Sequence, residues 1–243
     1  MRAAICTGSD DSDYLAQLLD QFQKEYHFTI RAERFNSGSA LLGSGERYEV
    51  VLLDSVLSDC LETGAQLRKH NICDKIILLA QDNRAALLGY AIHPDGFLLK
   101  PVGYRSLRHV MELCRSCWQG EAQALEITVN RVGVRILCGD IHYIEAQGRM
   151  FTVHGRYGQV ESRLTGTQLM ERLGSASFIL CHRSYLVNLF QIREWRRNCL
   201  VMENGDQIPI SADRWEQLME QRERFDRENP VRCGEMIFAS DNS

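Results

Sequence analysis

Asp54 and Lys100 are the residues of the first half whose types and positions could do chemistry together. Asp54 directly follows the apolar run Val50-Val51-Leu52-Leu53, and Lys100 directly follows the short apolar run 96–99, so each charge stands at the end of a strand-length segment. Sites in parallel α/β folds lie beyond the carboxyl ends of strands. The second half carries Cys181-His182-Arg183-Ser184-Tyr185-Leu186-Val187-Asn188 and, about one short hairpin later, Gly205-Asp206-Gln207-Ile208-Pro209-Ile210-Ser211. His182 has no partner His or Cys at ligand spacing, so it reads as a structural histidine that fixes a strand-to-loop turn. Asn188 and Ser184 read as side chains that satisfy backbone groups in that turn. Val187, Leu189 and Ile192 read as core. Cys114-Arg115-Ser116-Cys117 has redox or zinc spacing, but it lies in a helical stretch with no second pair, and ordinary helix cysteines are expected.

The elements that must hold these residues alternate in the first half. Residues 2–6, 28–33, 49–53, 75–79 and 96–99 are strand-length apolar runs, separated by helical spacings such as Tyr14, Leu15, Leu18, Leu19, Phe22 and Leu61, Ala65, Leu67. Five such alternations predict a five-stranded parallel sheet covered on both faces, because parallel neighbours need helical crossovers. From residue 125 the period changes. Short strands are expected over 125–129, 132–137, 141–144, 150–153 and 159–163, with turns at Asn130-Arg131, Gly148, Gly155-Arg156-Tyr157-Gly158 and Asn204-Gly205. Helical spacing returns only over 167–173 and 214–225, which predicts a mostly-β second domain.

Composition narrows the class. The chain has 243 residues, enough for two domains of ordinary size. No basic region followed by an apolar core opens the chain, and no window approaches the roughly 18 apolar residues of a membrane helix. The nine cysteines are scattered at irregular spacing, which fits a reducing compartment, so a cytoplasmic protein with no membrane partner is expected. Residues 124–200 hold 10 arginines against 6 acidic residues, although the whole chain is acidic at −4. All four lysines lie in the first half, so a phosphate grip in the second half must come from arginine, whose planar fork suits phosphate and guanine edges. An enzyme is disfavoured: Thr7-Gly8-Ser9-Asp10 after the first strand is neither a Gly-x-Gly-x-x-Gly cradle nor a P-loop, and no Gly-x-Ser-x-Gly elbow occurs.

The ordered set from Cys181 to Ser211, with Asp140-Ile141-His142-Tyr143-Ile144-Glu145, Phe151, Leu164 and Phe178 upstream, resembles the LytTR-type DNA-binding domain over roughly residues 124 to 225. The resemblance implies a small β module whose inter-strand loops enter the major groove. It assigns DNA contact to Arg183, then to the loop Gln147-Gly148-Arg149. It places a further arginine just after Ile-Pro-Val-Ser, where this chain has Ala212-Asp213 before Arg214. Arg196 and Arg197, in the loop 193–197, are candidates for the DNA backbone.

The first half resembles the receiver domain of two-component response regulators. Carried over by position, Asp54 matches the phospho-accepting aspartate, Lys100 the phosphoryl-pairing lysine and Phe97 the aromatic switch. Such an aspartate attacks a phosphoryl donor when a divalent cation neutralises the oxygens. The family's acid pair after strand one is replaced by Thr7 and Gly8, leaving Asp10 and Asp11 as candidates for a weakly held Mg²⁺. Ala80 stands where a hydroxyl residue is usual, and Ser58 where a proline commonly follows.

The expected organisation is a receiver-like domain over 1–118, a linker over 119–124, a LytTR-type domain over 125–225 and a tail over 226–243. The expected function is that of a DNA-binding transcriptional regulator with a receiver able to work without phosphorylation. Its expected partners are double-stranded promoter DNA, a second copy in a homodimer and a sensor histidine kinase. The alternative is a signalling adaptor or dimerisation protein without specific DNA binding.

Overall fold

The computed structural model describes residues 1–8, 11–82, 89–120, 122–129, 132–148, 150–163, 166–173 and 177–229, with the side chains of 89, 90, 166 and 167 set aside. Asp10, Arg149, the turn at Asn130-Arg131 and the tail from 230 onward therefore lie outside the described residues. The chain divides into two compact units, one built on Met1–Lys24 and Phe28–Glu121, the other on Glu25–His27 and Ala122–Pro230. No helix among the described residues is long and apolar enough to cross a membrane.

In the first unit β1 (Arg2–Cys6), β2 (Arg31–Phe35), β3 (Tyr48–Asp54), β4 (Cys73–Ala80) and β5 (Gly96–Leu99) form a sheet in the order β2-β1-β3-β4-β5, with every pairing parallel. This is the flavodoxin-like order, whose crevice lies where the strand order reverses, at β1 and β3. Helices α1 (Asp11–Tyr26), α2 (Gly38–Gly43), α3 (Cys60–Lys69) and α4 (Tyr104–Leu113) accompany it. Residues 50–54 of β3 are wholly buried, as expected of a central strand covered on both faces. Val51 and Leu53 pack with Ala4, Ile76, Leu78, Leu41 and Leu67 on one of those faces.

Two expectations are corrected here. The second strand begins at Arg31 rather than residue 28, because Phe28 is drawn into an aromatic cluster, stacked on Trp118 at 5.5 Å and edge-on to Phe22 at 6.1 Å. The last helix of this unit ends at Leu113, before the Cys114–Cys117 stretch expected to be helical. Arg115–Cys117 is a 3₁₀ turn, and it brings buried Trp118 back so that its indole N–H donates to Met111 O at 2.8 Å. Cys114 is buried at the end of α4, where burial pushes its thiol up to about 12, and Cys117 lies half-buried in the turn rather than in a helix. The short α2 escaped the sequence reading because Gly-Ser-rich segments look like loops. Ser37 caps it, and a Cβ on Gly38 would fall 1.6 Å from Thr63 Oγ1, so only glycine lets α2 approach α3 this closely.

In the second unit β6 (Ala124–Val129) and β7 (Val132–Leu137) form a hairpin. β8 (Ile141–Gln147), β9 (Met150–Gly155), β10 (Gly158–Ser162), β11 (Phe178–His182) and β12 (Tyr185–Asn188) form an antiparallel sheet in the order β10-β9-β8-β12-β11. A third sheet contains β13 (Ile192–Trp195), β14 (Cys199–Met202) and β15 (Gln207–Pro209). Helices α5 (Gly166–Leu173) and α6 (Trp215–Glu228) complete it. Strand alternation splits the core in two: Ile144, Val153 and Leu186 pack with Leu169 and Leu173, whereas Tyr143 and Val187 pack with Leu200, Met202, Ile208 and Leu218. Helix α6 runs three residues past the expected end, and the Asn229 side chain donates to Phe225 O at 2.8 Å.

Asn188 satisfies backbone groups, but not in the 182–185 turn. It sits at the other end of β12, where Nδ2 donates to Cys138 O at 3.1 Å and Ile141 O at 3.0 Å, and Oδ1 accepts from Phe190 N at 3.0 Å. Without Asn188, Phe190 N loses its acceptor and the buried carbonyls of Cys138 and Ile141 each lose a donor. Asn188→Ala is therefore expected to lower unfolding free energy by roughly 2–4 kcal/mol, read from the urea midpoint at unchanged m, and Asn188→Asp, which cannot donate, should not restore it.

Candidate functional site

The first unit gathers charge at the carboxyl ends of β1, β3 and β5. Asp54 is fully buried at the end of β3, and its Oδ2 accepts from Thr7 Oγ1 and from Lys100 Nζ, both at 2.6 Å. Its Oδ1 accepts from Val56 N at 3.1 Å. The strands dictate this meeting, because Cys6 pairs with Leu53, Asp54 with Leu79 and Ala80 with Leu99, which brings Thr7, Asp54 and Lys100 to the same end of the sheet, with Lys100 reaching Asp54 across the end of β4. Lys100 Nζ also donates to Asp11 Oδ2 at 2.8 Å. Burial works to lower the Lys100 pKa, but the hydrogen bonds to Asp11 and Asp54 outweigh it and raise it. A pocket of about 320 Å³ opens beside this cluster, lined by Asp11, Tyr14, Gln81, Lys100 and Val102.

Of the residues expected here, Asp54, Lys100 and Asp11 come together. Phe97 lies half-buried on β5 against the core shared with Leu78 and Val51. Ala80 ends β4, buried, with its carbonyl accepting from Lys100 N at 2.9 Å and no hydroxyl to offer. Thr7, counted in the sequence only as a missing acid, turns out to be a direct partner of Asp54. The described donors suit Mg²⁺ poorly. One Asp54 oxygen already serves two donors, Asp11 faces an ammonium, and among the described residues no group of three or more His, Cys, Asp or Glu is placed to hold a metal ion.

The second unit gathers polar side chains at one end of its sheets. Arg183 is exposed in the turn between β11 and β12, and His182 Nδ1 accepts from Ser184 N at 3.1 Å, which fixes that turn as expected of a structural histidine. Ser184 takes part through its main chain: its carbonyl accepts from Ala146 N at 2.8 Å. That bond sets exposed Gln147, at the end of β8, beside the Arg183 turn. Ser211 N donates to Cys181 O at 3.0 Å and Ile210 N to Asn198 O at 3.1 Å, which brings the segment after β15 and the turn holding Arg196 and Arg197 to the same end. Arg214 is half-buried and gives one guanidinium N–H to Leu180 O at 3.3 Å. Arg196 closes its fork on Glu194 at 2.6 and 2.8 Å, while Arg197 and Asp213 are exposed.

Beneath Gln147 lies a network the sequence reading missed. Glu145 Oε1 accepts from Gln147 Nε2 and from the Tyr185 hydroxyl, both at 3.0 Å, and Glu145 Oε2 stands 3.4 Å from His154 Nε2. His154 stacks on Tyr143 at 4.2 Å, and the Tyr143 hydroxyl donates to Asp206 Oδ2 at 3.0 Å. The spacing of Tyr143, Glu145 and Gln147 on one strand was the available signal, since alternate residues share a face. The Gln147 hydrogen bond first, and the Tyr185 bond against the cost of burial, hold the Glu145 carboxyl below its usual range.

Residues 133–223 match the family model of the LytTr DNA-binding domain. Among curated proteins, the transcriptional regulatory protein YpdB of Escherichia coli K12 is 24% identical over 158 residues, covering 57% of this chain and 65% of YpdB, so the match spans less than two-thirds of that relative. Among solved structures, a LytTr DNA-binding domain from Bacillus cereus covers 41% of this chain and 95% of its own at 20% identity and TM-score 0.37. A BeF3-activated DrrB receiver domain covers 47% and 97% at 21% identity and TM-score 0.40. The chain thus joins a parallel α/β unit with flavodoxin-like strand order to a mostly-β unit whose residues 133–223 match the LytTr DNA-binding domain.

Removing one partner of a buried ion pair leaves an uncompensated charge. Lys100→Met is expected to cost roughly 3–5 kcal/mol of stability, with much of it recovered in the Asp54→Leu, Lys100→Met double variant. Because the folded Lys100 pKa is raised, its contribution is complete below the ordinary lysine range and fades as pH rises through the folded value. Denaturant titrations across alkaline pH should show that fall in the wild type and not in Lys100→Met.

Proposed function

We propose that the protein is a transcriptional regulator that binds double-stranded promoter DNA as a homodimer, in the cytoplasm and without enzymatic turnover of its own. The observation that carries this is the convergence of Gln147, Arg183, Arg196, Arg197 and Arg214 at one end of a unit matching the LytTr DNA-binding domain, through the backbone bonds described above. Arg149 belongs to the same proposal by resemblance alone, and Asp10, like Asp11, is a candidate for a weakly held Mg²⁺ in place of the family's acid pair. Arg183 is the base or phosphate reader at the tip. Arg197 and Arg196 serve the DNA backbone, Arg196 by exchanging Glu194 for phosphate, and Arg214 reaches DNA past Asp213. The working division is a receiver-like domain over 1–118, a linker over 119–124 and a DNA-binding domain over 125–225.

In the same proposal the receiver-like unit works without phosphorylation. Asp54 is engaged by Thr7 and Lys100, Asp11 is engaged by Lys100, and Ala80 cannot receive a phosphoryl oxygen. Any Mg²⁺ held through Asp11 and Asp54 is weak, Phe97 has no phosphoryl-coupled hydroxyl to follow, and a sensor kinase would act by contact. The second reading, an adaptor without specific DNA binding, is favoured only by exposed Asp213 at the proposed interface.

Selection of bound fragments from randomised DNA by the full-length protein should enrich a motif with two spaced half-sites. Arg183→Ala should weaken binding to the winning duplex by roughly 1–3 kcal/mol, and Arg197→Ala should weaken binding about equally across sequences while lowering the salt slope by about 1. A failure to enrich any motif would favour the adaptor. Exposure to a small acyl phosphate with Mg²⁺ is expected to leave both the intact mass and the DNA affinity unchanged, and an Asp54-dependent phosphoprotein with altered affinity would overturn the receiver part.

A further inference from the structure

The Glu145–Gln147 contact carries an inference about which base is read, and it rests on the DNA-binding reading above. An ionised carboxylate only accepts hydrogen bonds, so the Gln147 amide must turn its nitrogen toward Glu145, as the 3.0 Å contact has it. That settles the orientation of the amide. One N–H is spent on Glu145, and the carbonyl oxygen and the second N–H remain for an outside partner. Glu145 is itself held by the Tyr185 hydroxyl at 3.0 Å and flanked by His154, whose Nε2 stands 3.4 Å away and whose ring stacks on Tyr143. It is therefore a fixed post in the sheet, whereas Gln147 is exposed at the strand end beside Arg183.

One acceptor and one donor side by side match the adenine edge in the major groove, which offers the N6 amino group and N7. Guanine offers two acceptors there, O6 and N7. Its edge would put the acceptor O6 where adenine presents the N6 donor, leaving the Gln147 oxygen facing an acceptor. We infer that Gln147 reads an adenine in each half-site and that Glu145 is the positioning residue that sets the amide for it and disfavours guanine.

The test compares full-length wild type, Gln147→Ala and Glu145→Gln in selection from randomised DNA, followed by affinity for the winning duplex and for its guanine and 7-deazaadenine versions. Wild type should prefer adenine over guanine at one half-site position by roughly tenfold to a hundredfold, and loss of N7 should weaken it several-fold. Gln147→Ala, an exposed change that leaves the sheet intact, should lose both effects at that position alone. Glu145→Gln presents an amide that accepts or donates, so it no longer sets the Gln147 orientation. Discrimination against guanine should fall several-fold there, with the rest of the motif and the unfolding midpoint unchanged. A wild-type motif that neither variant alters would overturn this inference while leaving the regulator intact, and the absence of any wild-type motif would overturn both.

Discussion

The pairing of β12 with β8 is the constraint on which the second unit depends. It places Leu186 opposite Ile144 and Val187 opposite Tyr143, so one register sends alternate side chains into two separate cores. A slip of one residue would exchange every one of those faces. The same register continues into the loop end as the bond from Ala146 N to Ser184 O, which sets the Arg183 turn against Gln147. At the other end of β12, Asn188 ties the strand to Cys138 and Ile141. Core packing and the presentation of the polar end are thus one fact about one strand pair.

In the first unit the corresponding constraint is the burial of a carboxylate. Asp54 is completely enclosed, and such a charge persists only with donors around it. Thr7 supplies one from the end of the neighbouring strand β1, Lys100 another from the end of β5 two strands away, and Val56 N a third. A hydroxyl in place of an acid after β1 changes what the carboxylate faces: Thr7 donates to Asp54, whereas an acid there would repel it and call for a cation. Core and charge cluster are separate in this unit, because the core lies within the sheet and the cluster beyond the strand ends.

The charge balance shows the same separation. The chain is acidic overall, yet Arg183, Arg196, Arg197 and Arg214 of the second unit are carried between strands and helices on segments that backbone bonds bring to one end, and the acids near them are partly consumed locally, Glu194 by Arg196 and Glu145 by Gln147 and Tyr185. Net charge counted along the chain could not reveal this. Placement along the fold, rather than total charge, decides where the arginines of this unit gather.

Much was legible in the sequence because it is written in local patterns. Continuous apolar runs gave the parallel strands, alternation gave β6 to β10, and charges at strand ends pointed to Asp54 and Lys100. Where long-range packing competes with local pattern, the reading slipped: Phe28 left its strand to stack on Trp118, the last helix of the first unit stopped so that Trp118 could turn back, and Asn188 served a distant 3₁₀ turn. Thr7 as a donor, Glu145 as a post and the gathering of Arg183, Gln147 and Arg214 at one end depend on registers between segments far apart in the chain. The sequence by itself determined which residues could do chemistry and which elements carry them, because residue type and period are local. Only the tertiary structure decided which of them meet, because strand register fixes neighbours that no spacing along the chain encodes.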